Sequence, residues 1–131
     1  MLRSYDGKID RGRFYREHGG YEDVKRCCKE QGINFEFVLA DTRECEIKNT
    51  DLLFLDTWHT FSQVKSELRL ADQVNKFIIF HDTLLYGKNG SGNERGILPA
   101  IYEFLTNNHD TWQIVEDNKD GNGLMVIQRI K

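Results

Sequence analysis

Two stretches of this chain run an apolar segment straight into acidic and imidazole side chains. They are DLLFLDTWHT at 51–60 and KFIIFHDT at 76–83. Each apolar run is short and rich in Leu, Ile and Phe, which predicts a strand covered on both faces rather than an alternating, half-exposed one. Between them, apolar residues at 61, 64, 68 and 71 predict a helix over 61–74. Upstream, residues 1–6 read as a strand ending in the turn Tyr5-Asp6-Gly7, and polar residues 8–20 read as a loop. Apolar positions 21, 24, 27 and 28 give a helix over 21–31, stopped by Gly32. The segment 33–40 alternates Ile33, Phe35 and Phe37 with Asn34 and Glu36, the period of a strand that ends at Asp41-Thr42. Downstream, Pro99 suits the first turn of a helix through Ile101, Phe104 and Leu105. Two final strands, TWQIVEDN and GLMVIQRI, flank a turn at 119–122 and read as an antiparallel hairpin.

The order β-α-β-β-α-β-α-β-β, with no repeat and no linker, predicts a single α/β domain over residues 1–131. Its sheet would be wound and mostly parallel, with helices on both faces and a C-terminal antiparallel hairpin. In such sheets ligands sit beyond the carboxyl ends of the strands. Asp6, Asp41, Asp56, His81 and Asp82 all fall at predicted carboxyl ends. Asp56 and Asp82 would close neighbouring strands about 4.8 Å apart, near enough to share a cation such as Mg²⁺ or Mn²⁺. The plainer alternative is local: Asp82 caps the next turn and Asp56 caps the following helix. His59 and His81 could serve there as base, metal ligand or orienting group, or as structural residues. Trp58 could wall a flat ligand, and it could equally be scaffold. The glycine-bearing segment 87–96 lacks the Gly-Lys-Ser/Thr ending of a P-loop and misses the dinucleotide spacing by one residue, so it reads as a flexible lid over the rim.

Composition narrows the partners. A net charge of −3 argues against nucleic acid, whose phosphates call for a basic face. No apolar run approaches the roughly 18 residues of a membrane helix, and the first ten residues lack the apolar stretch of a signal peptide. Cys27, Cys28 and Cys45 form no even disulfide set and no CxxC knuckle, so they read as reduced thiols in a cytoplasmic protein.

Together, SYD, GINFEFVLADT, DLLFLDTWHTFSQVKSEL, KFIIFHDT, GILPAIYEFL and GNGLMVIQR resemble class I S-adenosylmethionine-dependent methyltransferases. Within that family they are most similar to the cephalosporin hydroxylase-like and small-molecule O-methyltransferase group. The resemblance runs from Ser4 to Arg129, and it implies a Rossmann-like fold and methyl transfer from S-adenosylmethionine to a small hydroxylated substrate. It places Asp6 on the cofactor ribose and Asp41, with Thr42 beside it, near the adenine edge. Asp56 and Asp82 become ligands of a divalent ion, Mg²⁺ being the ion expected, with His81 as a further ligand where the family often has an acid. His59 and Asp56 become the catalytic pair, His59 deprotonating the acceptor hydroxyl.

Set against that family, the sequence is expected to start at the second strand, N-terminally shortened, with no counterpart of the first strand and its glycine-rich cofactor loop ahead of Leu2. An empty central slot would leave backbone groups unpaired. Rearranged strand pairing, a homodimer that lends a strand, or a separate partner chain would each fill it. Two further expectations follow: a non-catalytic shortened relative serving as a binding or assembly module, or metal-dependent hydrolysis by Asp56, Asp82 and His59.

Overall fold

A computed structural model describes residues 1–6 and 20–131, with the side chains of Asp6 and Tyr21 outside the description. The loop expected over 8–20 therefore lies, apart from Gly20, outside the described residues. The chain divides into two compact units, Met1–Cys45 and Glu46–Lys131.

In the first unit, β1 (Leu2–Asp6) pairs in parallel with β2 (Phe35–Leu39), Leu2 opposite Phe35 and Asp6 opposite Leu39. Arg3 and Glu36 face each other in this register and form an ion pair across the strands. Helix α1 (Tyr21–Glu30) carries Glu22 and Asp23 in its first turn and Lys29 in its last, matching the charges of the helix dipole. Cys28 is its buried residue, and Cys27 beside it is exposed.

The second unit holds a mixed four-stranded sheet in the order β3-β4-β6-β5. β3 (Thr50–Leu55) and β4 (Val74–His81) are parallel neighbours joined through α2 (Phe61–Glu67). β5 (Trp112–Asn118) and β6 (Leu124–Arg129) form the expected antiparallel hairpin, and β6 pairs antiparallel with β4. Helix α3 (Leu98–Asn107) opens with Pro99 in its first turn. Val64, Leu68, Ile97, Ala100 and Ile101 pack with Leu55, Ile78, Phe80, Met125 and Ile127 into one core.

Two expectations are corrected here. The apolar run of β3 is not covered on both faces: Leu53 and Leu55 join the core or its margin, while Leu52 and Phe54 are 47% and 50% exposed. Successive side chains of a strand point to opposite faces, and in β3 only the face with Leu53 and Leu55 packs on the core. The expected helix over 61–74 stops at Glu67 and continues as a 3₁₀ stretch, Leu68–Gln73. Arg129 reaches from β6 to donate to the carbonyls of Ala71 and Val74 at 2.7 and 2.8 Å, satisfying acceptors at the end of that stretch. The described residues thus form a mixed α/β structure with one parallel pair, one mixed sheet and three α-helices.

Candidate functional site

The register that pairs Leu55 with Phe80 brings the carboxyl ends of β3 and β4 side by side, and Asp56 and His81-Asp82 follow directly. Asp82 leaves the strand with φ at +59°, a left-handed conformation that Asp tolerates better than most L-residues. That turn buries its carboxylate, leaving Asp82 only 6% exposed. His59 Nε2 lies 2.7 Å from Asp82 Oδ2 and 3.7 Å from Asp56 Oδ1. His81 Nδ1 lies 3.4 Å from Asp82 Oδ1 and 3.6 Å from Asp56 Oδ1. Ligating atoms of Asp56, His59 and Asp82 all fall within 4.8 Å of one another, and His81 flanks this triad.

Close as they are, these atoms do not satisfy one another. His59 Nε2, His81 Nδ1 and Asp82 Oδ1 are buried without a hydrogen-bond partner, as is the hydroxyl of Thr83. The 2.7 Å contact of His59 with Asp82 is thus a close approach lacking hydrogen-bond alignment. Buried polar atoms are rarely left this way, and several around one point can be met by water, an ion or another polar group.

The local capping alternative does not describe this arrangement. Helix α2 is capped by Thr60, whose Oγ1 accepts from Gln63 N at 3.3 Å. Of Asp82, it is the backbone carbonyl that accepts from Tyr86 N. Asp56 is half-exposed and faces the two imidazoles.

Three supports were not foreseen. Tyr86 stacks on the His59 ring, with centroids 4.2 Å apart and planes within 4°. Thr57 Oγ1 donates to Glu67 Oε2 and Gln63 Nε2 to Glu67 Oε1, both at 2.7 Å, so the fully buried Glu67 ties the loop after β3 to α2. Its signal was present in the sequence, since 67 lies on the same helix face as 64, 68 and 71. The third support is the segment expected as a free lid. It folds back on itself through Gly90 N to Glu94 O and Gly96 N to Lys88 O, both 2.8 Å. It is also fastened to the site, with Ser91 N donating to His59 O at 3.0 Å and Phe61 N to Arg95 O at 2.8 Å. A side chain at Gly90 would meet His59 O at 2.4 Å, so glycine is required there by close backbone approach.

The residues expected to hold the cofactor fall in the first unit, and those of the triad in the second. Asp6 ends β1, with its side chain outside the described residues. Asp41 follows β2 and starts a turn, its Oδ1 accepting from Arg43 N at 2.9 Å. The Arg43 guanidinium also donates to both Asp41 oxygens, at 2.6, 3.0 and 3.2 Å. These side-chain bonds, then the backbone one, hold the Asp41 carboxyl down at about 2, from an ordinary 3.8. A cofactor contact at Asp41 would have to share or displace Arg43. Thr42, next along the same turn, receives the Cys45 thiol on its carbonyl. Trp58, at the rim, is 60% exposed. Among the described residues no helix is long and apolar enough to cross a membrane.

No family model and no curated protein matches the chain. Among solved structures it is similar to the PH0226 protein from Pyrococcus horikoshii OT3, at 14% identity and a TM-score of 0.49, over 98% of this chain and 82% of that one. A likeness this slight does not bear on the chemistry.

Proposed function

We propose that the chain is a methyltransferase-type domain whose Asp56–His59–Asp82 cluster, flanked by His81, binds a divalent cation and with it a small hydroxylated substrate. The observation that carries the cation reading is the set of buried donor atoms left without partners at the ends of two adjacent parallel strands. Two carboxylates and two imidazoles are suitable donors. When bound, such an ion supplies Lewis-acid polarisation of a coordinated hydroxyl. Asp82, buried and turned inward, anchors the site. Asp56 is the half-exposed carboxylate of the cluster and faces both imidazoles. His59, held flat by Tyr86 with Nε2 toward the carboxylates, takes part by orienting that end of the site. Trp58 offers an exposed ring beside them.

The methyl-transfer part rests on the sequence resemblance, as does the Rossmann-like winding. The β1/β2 pair and the β3–α2–β4 crossover, each parallel, are compatible with that winding. Calorimetric titration of the chain with S-adenosylmethionine and S-adenosylhomocysteine, with and without divalent cation, tests it. Micromolar binding is the expected result, and none up to millimolar ligand removes methyl transfer from the account.

A second reading, a non-catalytic binding module of the same family, draws on Asp41. Its carboxylate is already occupied by Arg43 where the resemblance calls for a cofactor contact. Cation binding without cofactor binding is the outcome this reading expects.

A further inference from the structure

Resting on the cation site above, we infer that the ion this site selects is a nitrogen-accepting transition ion of the Mn²⁺/Fe²⁺ class rather than Mg²⁺. The donor set sets this preference. An all-oxygen site would suit Mg²⁺, which holds its waters tightly and takes carboxylates and phosphates. Here two of the four converging groups are imidazole nitrogens, and both are buried and unpartnered: His59 Nε2 and His81 Nδ1. Imidazole favours Fe²⁺ and the later transition ions, with Mn²⁺ the weakest of that series and, like Mg²⁺, at home with carboxylates, so a mixed set shifts selectivity toward the transition ions and away from Mg²⁺.

The spacing suits a six-coordinate ion, Mg²⁺ as well as Mn²⁺, so the preference rests on the donor set. Adjacent donors on a six-coordinate ion with bonds of about 2.1 Å stand roughly 3 Å apart. The contacts here, 2.7, 3.4, 3.6 and 3.7 Å, bracket that value, so small rotations of exposed Asp56 and half-buried His81 would bring all four groups onto one ion. The second imidazole is what sets the preference. His81 follows the last core residue of β4 and turns to the same side as the carboxylates. His59 is locked there by the Tyr86 ring and by its own carbonyl bond to Ser91.

The test compares Mn²⁺ with Mg²⁺ on the full chain. Mn²⁺ is the probe because Zn²⁺ or Co²⁺ would also be drawn to the thiols of Cys27 and Cys45. Calorimetry should give one Mn²⁺ per chain, bound at least tenfold more tightly than Mg²⁺. His59→Gln and His81→Gln should each pull that ratio toward one, because the Gln oxygen remains a hard donor. Far-UV circular dichroism of each variant checks that the fold is kept. Pulsed EPR of the Mn²⁺ complex should show nitrogen coupling, reduced in both variants. Mg²⁺ bound as tightly as Mn²⁺, a ratio unchanged in both variants, or no nitrogen coupling would overturn the inference while leaving the cation site standing. Binding of neither ion would overturn both.

Discussion

Asp41 and Asp82 are the same residue type in the same topological place, just past the carboxyl end of a parallel strand, yet their surroundings are opposite. Asp41 is exposed and fully engaged by Arg43, two residues along. Asp82 is buried, held at positive φ, and one of its oxygens has no hydrogen-bond partner. An acid at a strand end is therefore not in itself a site. What separates the two is whether the surrounding residues satisfy the carboxylate: Arg43 does so at Asp41, and at Asp82 one oxygen is left without a hydrogen bond.

Charge removal at the two positions should expose this contrast most strongly. Asp82→Asn keeps the shape and tolerates left-handed backbone, yet should weaken Mn²⁺ binding by more than about 100-fold, beyond the range seen for outer-shell partners. Asp41→Asn should leave it unchanged. Equal losses in the two variants, read by calorimetry, would erase the distinction.

The glycine segment gives the next largest effect. In Gly90→Ala the new methyl group would lie 2.4 Å from His59 O and 2.7 Å from Arg95 O, both backbone atoms that cannot rotate away. Overpacking of this kind should cost about 1–3 kcal/mol in urea unfolding, with weaker cation binding because His59 shifts. A neutral result would mean that the segment is a loose lid after all. Replacing Tyr86 is milder. Tyr86→Leu should lose about 0.5–1.5 kcal/mol of ring stacking, which Tyr86→Phe should largely retain. The His59 ring resonances in NMR would report the change, and identical spectra for the two variants would deny Tyr86 its role.

The smallest effect belongs to Asp41. Its carboxyl sits at about 2 in the fold against 3.8 ordinarily, so the Arg43 pair contributes stability above pH 3.8 and loses it as pH falls through about 2. Exposure keeps that contribution small. A carboxyl NMR titration should place the midpoint near 2, and Arg43→Ala should return it toward 3.8; a midpoint that ignores Arg43 would contradict the assignment.

Strand and helix positions were largely legible in the sequence because hydrophobic period and breakers dominate them: the hairpin, α1, α3 and the β3–α2–β4 unit all stand where pattern places them. Long-range satisfaction was not. The carbonyl of Ala71, near the end of the 3₁₀ stretch, is met by Arg129, nearly sixty residues downstream. Leu52 and Phe54 are exposed because only the opposite face of β3 packs on the core, which an apolar run does not encode. Of the candidate site, Asp56, His81 and Asp82 stand at the strand ends that the pattern predicts, and His59 just ahead of the following helix. Tyr86 and Gly90 could not be read that way, because a ring stack and a backbone approach depend on how two loops meet. The glycines of 87–96 signal close contact as readily as mobility, and here they signal contact.

The most direct test of the central claim is anomalous diffraction from a crystal of the chain grown with Mn²⁺. The account predicts one strong peak within bonding distance of Asp56, His59 and Asp82. A peak elsewhere, or none while those side chains remain as described, would contradict it.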